Sequence, residues 1–125
     1  MAMKKALIVE DDPISLKLLA NIAESAGIAA IKSSDGFRGW EILLDNPDIN
    51  VLITDIMMPE MDGYRLIHSV RECKDDRISK MPIIIITGVE ANDPELKDIM
   101  KLEPIFLFTK PVDREGLTVC LNEKV

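Results

Sequence analysis

The sequence predicts an α/β fold built on one doubly wound parallel sheet, and three observations lead there. Short apolar runs alternate with longer helix-patterned stretches, and the alternation repeats five times. Several of the short runs are apolar at every position, the pattern of strands covered by helices on both faces. These runs end abruptly in charged or hydroxyl residues, as strands do where their carboxyl ends open on a ligand crevice.

Each element has its own signal. Lys5 to Val9 reads as a strand that ends in acid. Pro13 to Ala26 reads as a helix, with Pro in its first turn, apolar residues at Ile14, Leu18, Leu19 and Ile22, and Gly27 closing it. Ile28 to Ile31 is a second strand, and Ser34-Asp35-Gly36 opens a helix that runs through Trp40 and Leu44 and stops at Asn46-Pro47. Phe37 and Trp40 are expected to pack this helix onto the sheet.

Val51 to Thr54 is a third strand ending in Asp55, and a Pro- and Gly-punctuated loop from Met57 to Gly63 leads into a helix carrying Leu66, Ile67 and Val70. Pro82 to Ile86 is the strongest strand, with four consecutive isoleucines. Asp93-Pro94-Glu95 starts a helix with Leu96, Ile99 and Met100 on one face, which Pro104 is expected to end. Ile105 to Phe108 is the fifth strand, and Asp113 caps a final helix through Leu117, Cys120 and Leu121.

Composition narrows the function classes. The chain has 125 residues, 47% hydrophobic and 30% charged, which is globular composition for a single domain spanning residues 1–125. The longest apolar run, Ile83 to Ile86, is too short to cross a bilayer, and no signal-type segment starts the sequence, so a cytoplasmic location is expected. The net charge of −7 argues against direct nucleic-acid binding and fits a cation or a basic partner. Cys73 and Cys120 have no metal or CxxC spacing and read as reduced thiols at helix positions. His68 falls mid-helix, away from the strand ends, and reads as a surface or partly buried residue, not a phosphodonor.

The strand ends carry the chemistry. They are Glu10-Asp11-Asp12, Asp55, Thr87-Gly88 and Lys110-Pro111. Carboxylates gathered in one crevice repel, by roughly 3–4 kcal/mol per close pair at an effective dielectric near 20. Lys110 supplies one charge against three, so a cation is expected, and an oxygen-only donor set suits Mg²⁺. No His or Cys joins the cluster, which argues against zinc. Two carboxylates can serve a glycosidase, but the third acid, the lysine and the hydroxyl have no role there. Together the set suits phosphoryl transfer to a carboxylate, with Asp55 attacking while Thr87 and Lys110 steady the phosphoryl oxygens.

Four motifs, each at a strand end, carry a resemblance: Leu7-Ile-Val-Glu-Asp-Asp-Pro13, Thr54-Asp55-Ile-Met-Met-Pro59 with Met61-Asp-Gly63, Ile86-Thr87-Gly88 and Thr109-Lys110-Pro111. Over its whole length the chain resembles the receiver domain of two-component response regulators, of the chemotaxis-regulator kind. The resemblance implies a flavodoxin-like three-layer sheet of five parallel strands in the order 2-1-3-4-5. It also implies a phosphoacceptor switch, not an enzyme, with Asp55 as phosphoacceptor. The Mg²⁺ ligands it implies are Asp11, Asp55, the backbone carbonyl of Met57, and Glu10 through water, with Asp12 only a neighbour. Thr87 and Lys110 would contact the phosphoryl group. The implied partners are a histidine kinase or histidine phosphotransfer protein, docking near the first helix and the loop after Lys110, and a downstream effector that the sequence does not name. The output is left open: a stand-alone regulator or a receiver from a longer protein, monomeric or dimerising on phosphorylation.

Two departures stand out. Receivers of this kind often carry Tyr or Phe three residues before the lysine, and here that switch position is Leu107, flanked by Phe106 and Phe108. The small Gly-Ala turn before strand five is replaced by Leu102-Glu103-Pro104. A non-standard activation geometry is therefore expected at the face made by the helix after strand four, strand five and the last helix. Two positions influence acyl-phosphate lifetime in this family, and the resemblance places the apolar Met57 and Val89 there, which implies slow self-dephosphorylation.

Rival readings fit less well. A haloacid-dehalogenase-type phosphatase needs an acid where Met57 stands, and an FMN-binding fold needs a Ser/Thr/Gly-rich phosphate loop where Glu-Asp-Asp-Pro stands. A receiver that works without phosphorylation, as an inert interaction module, is the remaining alternative.

Overall fold

A computed structural model describes residues 3–58 and 61–125. Five strands, β1 (Lys5–Val9), β2 (Ala29–Ser33), β3 (Val51–Thr54), β4 (Ile83–Thr87) and β5 (Ile105–Thr109), form one sheet in the order β2-β1-β3-β4-β5. Every pairing is parallel. The helices are α1 (Pro13–Ser25), α2 (Gly36–Asp45), α3 (Gly63–Arg71), the one-turn α4 (Asp76–Ser79), α5 (Pro94–Ile99) and α6 (Arg114–Lys124).

Alternation along each strand distributes the core to two faces. Leu7, Val9, Leu52, Ile83 and Ile85 pack under α2, α3 and α5. Ala6, Ile8, Val51, Ile53, Ile84 and Ile86 pack under α1 and α6. Both faces being covered is why β3 and β4 are buried at every position and why each is apolar up to its terminal threonine. The architecture is the predicted three-layer, doubly wound sheet.

Several details differ from the sequence reading. On α1 the buried residues are Leu19, Ala20, Ile22 and Ala23, whereas Ile14 is 80% and Leu18 41% exposed. Each i+4 step advances about 40° around a helix, so Ile14 has turned about 80° away from Ile22. Phe37 is 58% exposed and does not pack on the sheet; only Trp40 does, half-buried. The close approach of α2 comes instead from Gly39, where a Cβ would lie 2.8 Å from the Val9 side chain.

The helix α4 was not anticipated; Asp75 caps it and Ile78 anchors it in the core. The next helix, α5, ends at Ile99, so Pro104 is not what stops it. Asp113 occupies the N-cap position of α6 but its side chain makes no cap hydrogen bond. Cys73 lies beyond α3, outside any helix, and both cysteines are free thiols. Pro59, part of the Asp55 motif, lies outside the described residues. No helix among the described residues is long and apolar enough to cross a membrane.

Arg71, at the end of α3, holds the unusual segment before β5. Its guanidinium donates to the carbonyls of Leu102 (2.8 Å), Ser79 (3.1 Å), Met81 (2.7 Å) and Pro104 (2.7 Å). Burial lowers its pKa, and the carbonyls take the place of a carboxylate partner. Replacing Arg71 with Met is expected to lower stability by about 3 kcal/mol, since bonds from a charged donor contribute about 1.5–3 kcal/mol each and several carbonyls can turn to water. Urea denaturation measures this; a loss within the noise of surface substitutions would show that the bonds are dispensable.

Candidate functional site

Parallel pairing brings the carboxyl ends of β1, β3, β4 and β5 to one edge of the sheet, and the residues singled out above follow those ends. Glu10 leaves β1 with its N–H bonded to the Ser33 carbonyl (3.0 Å), and Asp55 leaves β3 with its N–H bonded to the Val9 carbonyl (3.1 Å). Lys110 leaves β5 with its N–H bonded to the Thr87 carbonyl (2.9 Å). The sheet itself therefore fixes where these side chains start.

Glu10, Asp11 and Asp55 each place a carboxylate oxygen within 4.8 Å of the others. Glu10 is fully buried, Asp55 is 6% exposed, and Asp11 is open to solvent. The Lys110 ammonium donates to Glu10 Oε1 at 2.7 Å and to Asp55 Oδ2 at 2.8 Å. Asp55 Oδ1 accepts from the Ile56 N–H at 2.6 Å, and Glu10 Oε2 accepts from the Asp12 N–H at 3.2 Å.

The electrostatics follow from burial. Desolvation pushes Glu10 above the ordinary carboxylate range, and the Lys110 and Asp12 hydrogen bonds only partly oppose it. Burial also works against the Lys110 ammonium, but the bonds to Asp55 and Glu10 outweigh it and raise its pKa. Lys110 thus bridges two carboxylates of a cluster of three, and its single positive charge does not balance them. The donors are all hard oxygens, with no imidazole or thiolate in the group, so the residues fit a divalent cation such as Mg²⁺.

The neighbouring residues are arranged as follows. Asp12 turns away from the cluster: its carboxylate caps α1, accepting from the Ser15 N–H (3.1 Å) and hydroxyl (2.7 Å), which lowers its pKa. The buried Thr87 accepts from the Val89 N–H at 3.1 Å through its hydroxyl oxygen, which leaves its own proton to donate. Met57 is 67% exposed in the loop after Asp55. Leu107 is half-buried on the α5 side of the sheet, whereas Phe106 and Phe108 face the α6 side. Neither flanking aromatic can therefore stand in for Leu107. His68 is exposed on α3, away from the cluster.

Two features escaped the sequence reading. The Tyr64 hydroxyl donates to Asp93 Oδ2 at 3.2 Å, linking residues 29 apart that nothing in the sequence pairs. A cavity of about 400 Å³ opens beside Glu10 and Lys110, between α1 and the loop after β5, lined by Leu18, Leu19, Pro111 and Val112. The exposed Leu18 was a signal for it only once α1 was oriented.

The residue pattern that defines the response regulator receiver domain matches residues 6–122. The chain belongs to the response regulator receiver family. It is 38% identical to the chemotaxis protein CheY1 of Helicobacter pylori over 94% of this chain and 97% of that protein. It is 29% identical to the transcriptional regulatory protein GlrR of Escherichia coli over 94% of this chain but 25% of that protein. Among solved structures, the Vibrio cholerae chemotaxis protein CheY4 superposes with a TM-score of 0.85 at 25% identity, covering 99% of this chain and all of that one. A response regulator receiver protein from Pseudomonas putida superposes with a TM-score of 0.84 at 26% identity, covering 99% of each chain. The receiver is thus a two-component signalling switch, and membership implies a phosphodonor kinase and a downstream effector.

Proposed function

We propose that residues 1–125 act as one receiver domain in which Asp55 takes a phosphoryl group from a histidine kinase or histidine phosphotransfer protein, in a Mg²⁺-dependent reaction. The observation that carries this reading is Lys110 bridging Glu10 and Asp55, with an Asp11 carboxylate oxygen within 4.8 Å of theirs. Asp11, Asp55 and the Met57 carbonyl would hold the ion directly, with Glu10 acting through water. A bound ion would supply positive charge to offset that of the phosphoryl oxygens.

The side chains divide the remaining work. An Asp55 carboxylate oxygen attacks phosphorus in line; the new O–P bond forms as the bond to the donor imidazole nitrogen breaks. The Lys110 ammonium shifts from the carboxylates toward the phosphoryl oxygens, and the Thr87 hydroxyl donates to them. The apolar cavity beside Lys110 and the exposed Ile14 and Leu18 form the surface on which the phosphodonor docks. The signal leaves through the face of α5, β5 and α6 without an aromatic swing, because Leu107 replaces the aromatic. The domain assists its own phosphorylation and slow dephosphorylation and is not an enzyme. It works in the cytoplasm, as a monomer or a phosphorylation-dependent dimer.

Incubation with acetyl phosphate and Mg²⁺ tests the reading. Intact-mass analysis should show the gain of one phosphoryl group, absent in Asp55→Asn and absent with chelator. Once donor is removed the group should be lost slowly, since neither Met57 nor Val89 can orient a water. A phosphorylated Asp55→Asn protein would refute the assignment, and a lifetime as short as that of fast chemotaxis regulators would refute the role given to Met57 and Val89.

A further inference from the structure

We propose that Tyr64 is a positioning residue for phosphoryl transfer, acting through Asp93 on the loop that follows Thr87; this rests on the reading of Asp55 as phosphoacceptor. Tyr64 is the second residue of α3, and α3 is seated on the phosphoacceptor segment itself. The Gly63 N–H donates to the Ile56 carbonyl at 2.7 Å, and Gly63 lies so close to the backbone of Asp55 and Ile56 that no Cβ would fit. The Tyr64 ring is 5% exposed in the core, and its hydroxyl reaches across to Asp93, the N-cap of α5.

Asp93 terminates the loop that starts at Thr87. Within that loop Gly88, Glu90, Ala91 and Asn92 are exposed, and its internal ties run from Val89 to Thr87 and from Asp93 to Glu90. Asp93 divides its carboxylate, with Oδ1 accepting from the Glu95 N–H (2.9 Å) and Oδ2 from Tyr64. Among the described residues, the Tyr64 bond is the one hydrogen bond that reaches residues 88–93 from outside residues 87–97. A continuous path therefore runs from the Asp55 backbone through α3, Tyr64 and Asp93 to the loop beside Thr87. Burial and the Asp93 charge push the phenol up to about 12, so it stays a proton donor across the physiological range.

The path predicts which substitutions matter. Tyr64→Phe keeps the ring and removes the bond. Asp93→Ser keeps a helix cap but is too short to meet the phenol. Asp93→Asn keeps the cap oxygen and presents an amide that can donate to the phenol oxygen. With acetyl phosphate and Mg²⁺ both saturating, Tyr64→Phe and Asp93→Ser should each slow phosphorylation by about 3- to 10-fold, the rate equivalent of one hydrogen bond. The double variant should be no slower than either single, and Asp93→Asn should restore the rate. In a Thr87→Ala background, Tyr64→Phe should add nothing. Mg²⁺ affinity, followed by the fluorescence of Trp40, should stay unchanged in all of them.

Wild-type rates in Tyr64→Phe, additive losses in the double variant, or an undiminished Tyr64→Phe effect without the Thr87 hydroxyl would each overturn the proposal. A weaker Mg²⁺ affinity in Tyr64→Phe would do so as well, since it would place the effect on the carboxylate cluster. If the wild-type chain takes no phosphoryl group at all, the phosphoacceptor reading fails first and the proposal falls with it.

Discussion

Lys110→Met is expected to lower the stability of the metal-free protein by about 3–5 kcal/mol, the usual result of removing one partner from a buried ionic group. Glu10 is fully buried and the Asp55 side chain is 9% exposed, and Lys110 is the cation that touches both. Without it the two carboxylates face each other unneutralised. Part of the loss is recoverable by protonation. Burial already raises Glu10 above 4.5, and losing its ammonium raises it further. In the window between 4.5 and that raised value, the folded variant holds a proton that the unfolded chain has released. Stability of the variant therefore falls as pH rises through the window.

Divalent cation gives a second handle. A ligand bound only by the folded state adds RT ln(1 + [L]/Kd). Lys110 competes for the same carboxylates, so Mg²⁺ should stabilise the variant more than the wild type. Urea midpoints at mildly acidic and neutral pH, with and without MgCl₂, measure both effects. Phosphorylation by acetyl phosphate should fall by about 100-fold or more, the scale seen when one charge-stabilising donor is lost. Unchanged stability, or a Mg²⁺ response equal to that of the wild type, would show that Lys110 does not neutralise this cluster.

The parts of this molecule that the sequence reveals are those in which local pattern and final environment coincide. Ile83 to Ile86 is apolar at every position because β4 is covered on both faces, and the run can be read without knowing what covers it. Asp35 and Asp93 were legible as helix starts because a cap acts on its own chain, and each accepts from an N–H two or three residues on. The strand-end acids and Lys110 were legible because strand ends in a parallel sheet share an edge. The phosphoryl-transfer chemistry follows from the set itself, whereas the assignment of individual metal ligands and the strand order came from the resemblance.

What stayed hidden depends on contacts between distant segments. Ile14 and Leu18 look like core residues until the small Ala20 and Ala23 are seen against the sheet. Arg71 looks like a surface arginine, yet it binds four carbonyls up to 33 residues away. Tyr64 and Asp93 each suit their own helices, and only the packing of α3 against α5 makes them partners. The close approaches at Gly39 and Gly63 were the least legible, since a missing side chain leaves no pattern of its own and the reason for it lies in what approaches it.

Gly63→Ala is the sharpest test of that last point, with an expected loss of about 3 kcal/mol, at the upper end of ordinary overpacking costs. Alanine is the better helix former by about 1 kcal/mol, and the backbone at Gly63 is in a region open to any residue, so propensity alone predicts a gain. Space decides the opposite. A Cβ there would collide with the Asp55 carbonyl oxygen and come within 2.7 Å of the Ile56 Cα. Both are backbone atoms of the phosphoacceptor segment and cannot rotate aside as a flexible side chain can. Relief requires α3 or the Asp55–Ile56 peptide to shift. The second would disturb the Asp55 carboxylate, which Lys110 and the Ile56 N–H hold in place. A displacement of about 1 Å at a reacting group can cost about 100-fold in rate. Gly88→Ala is the matched control: it lies one residue beyond Thr87, and a Cβ there meets nothing within 4 Å. It should change stability by no more than about 0.5 kcal/mol. Denaturation midpoints and acetyl phosphate rates on the two variants separate the cases. A Gly63→Ala protein as stable and as fast as Gly88→Ala would show that α3 is not seated on the phosphoacceptor strand, and would remove the first step of the path from Asp55 to Tyr64.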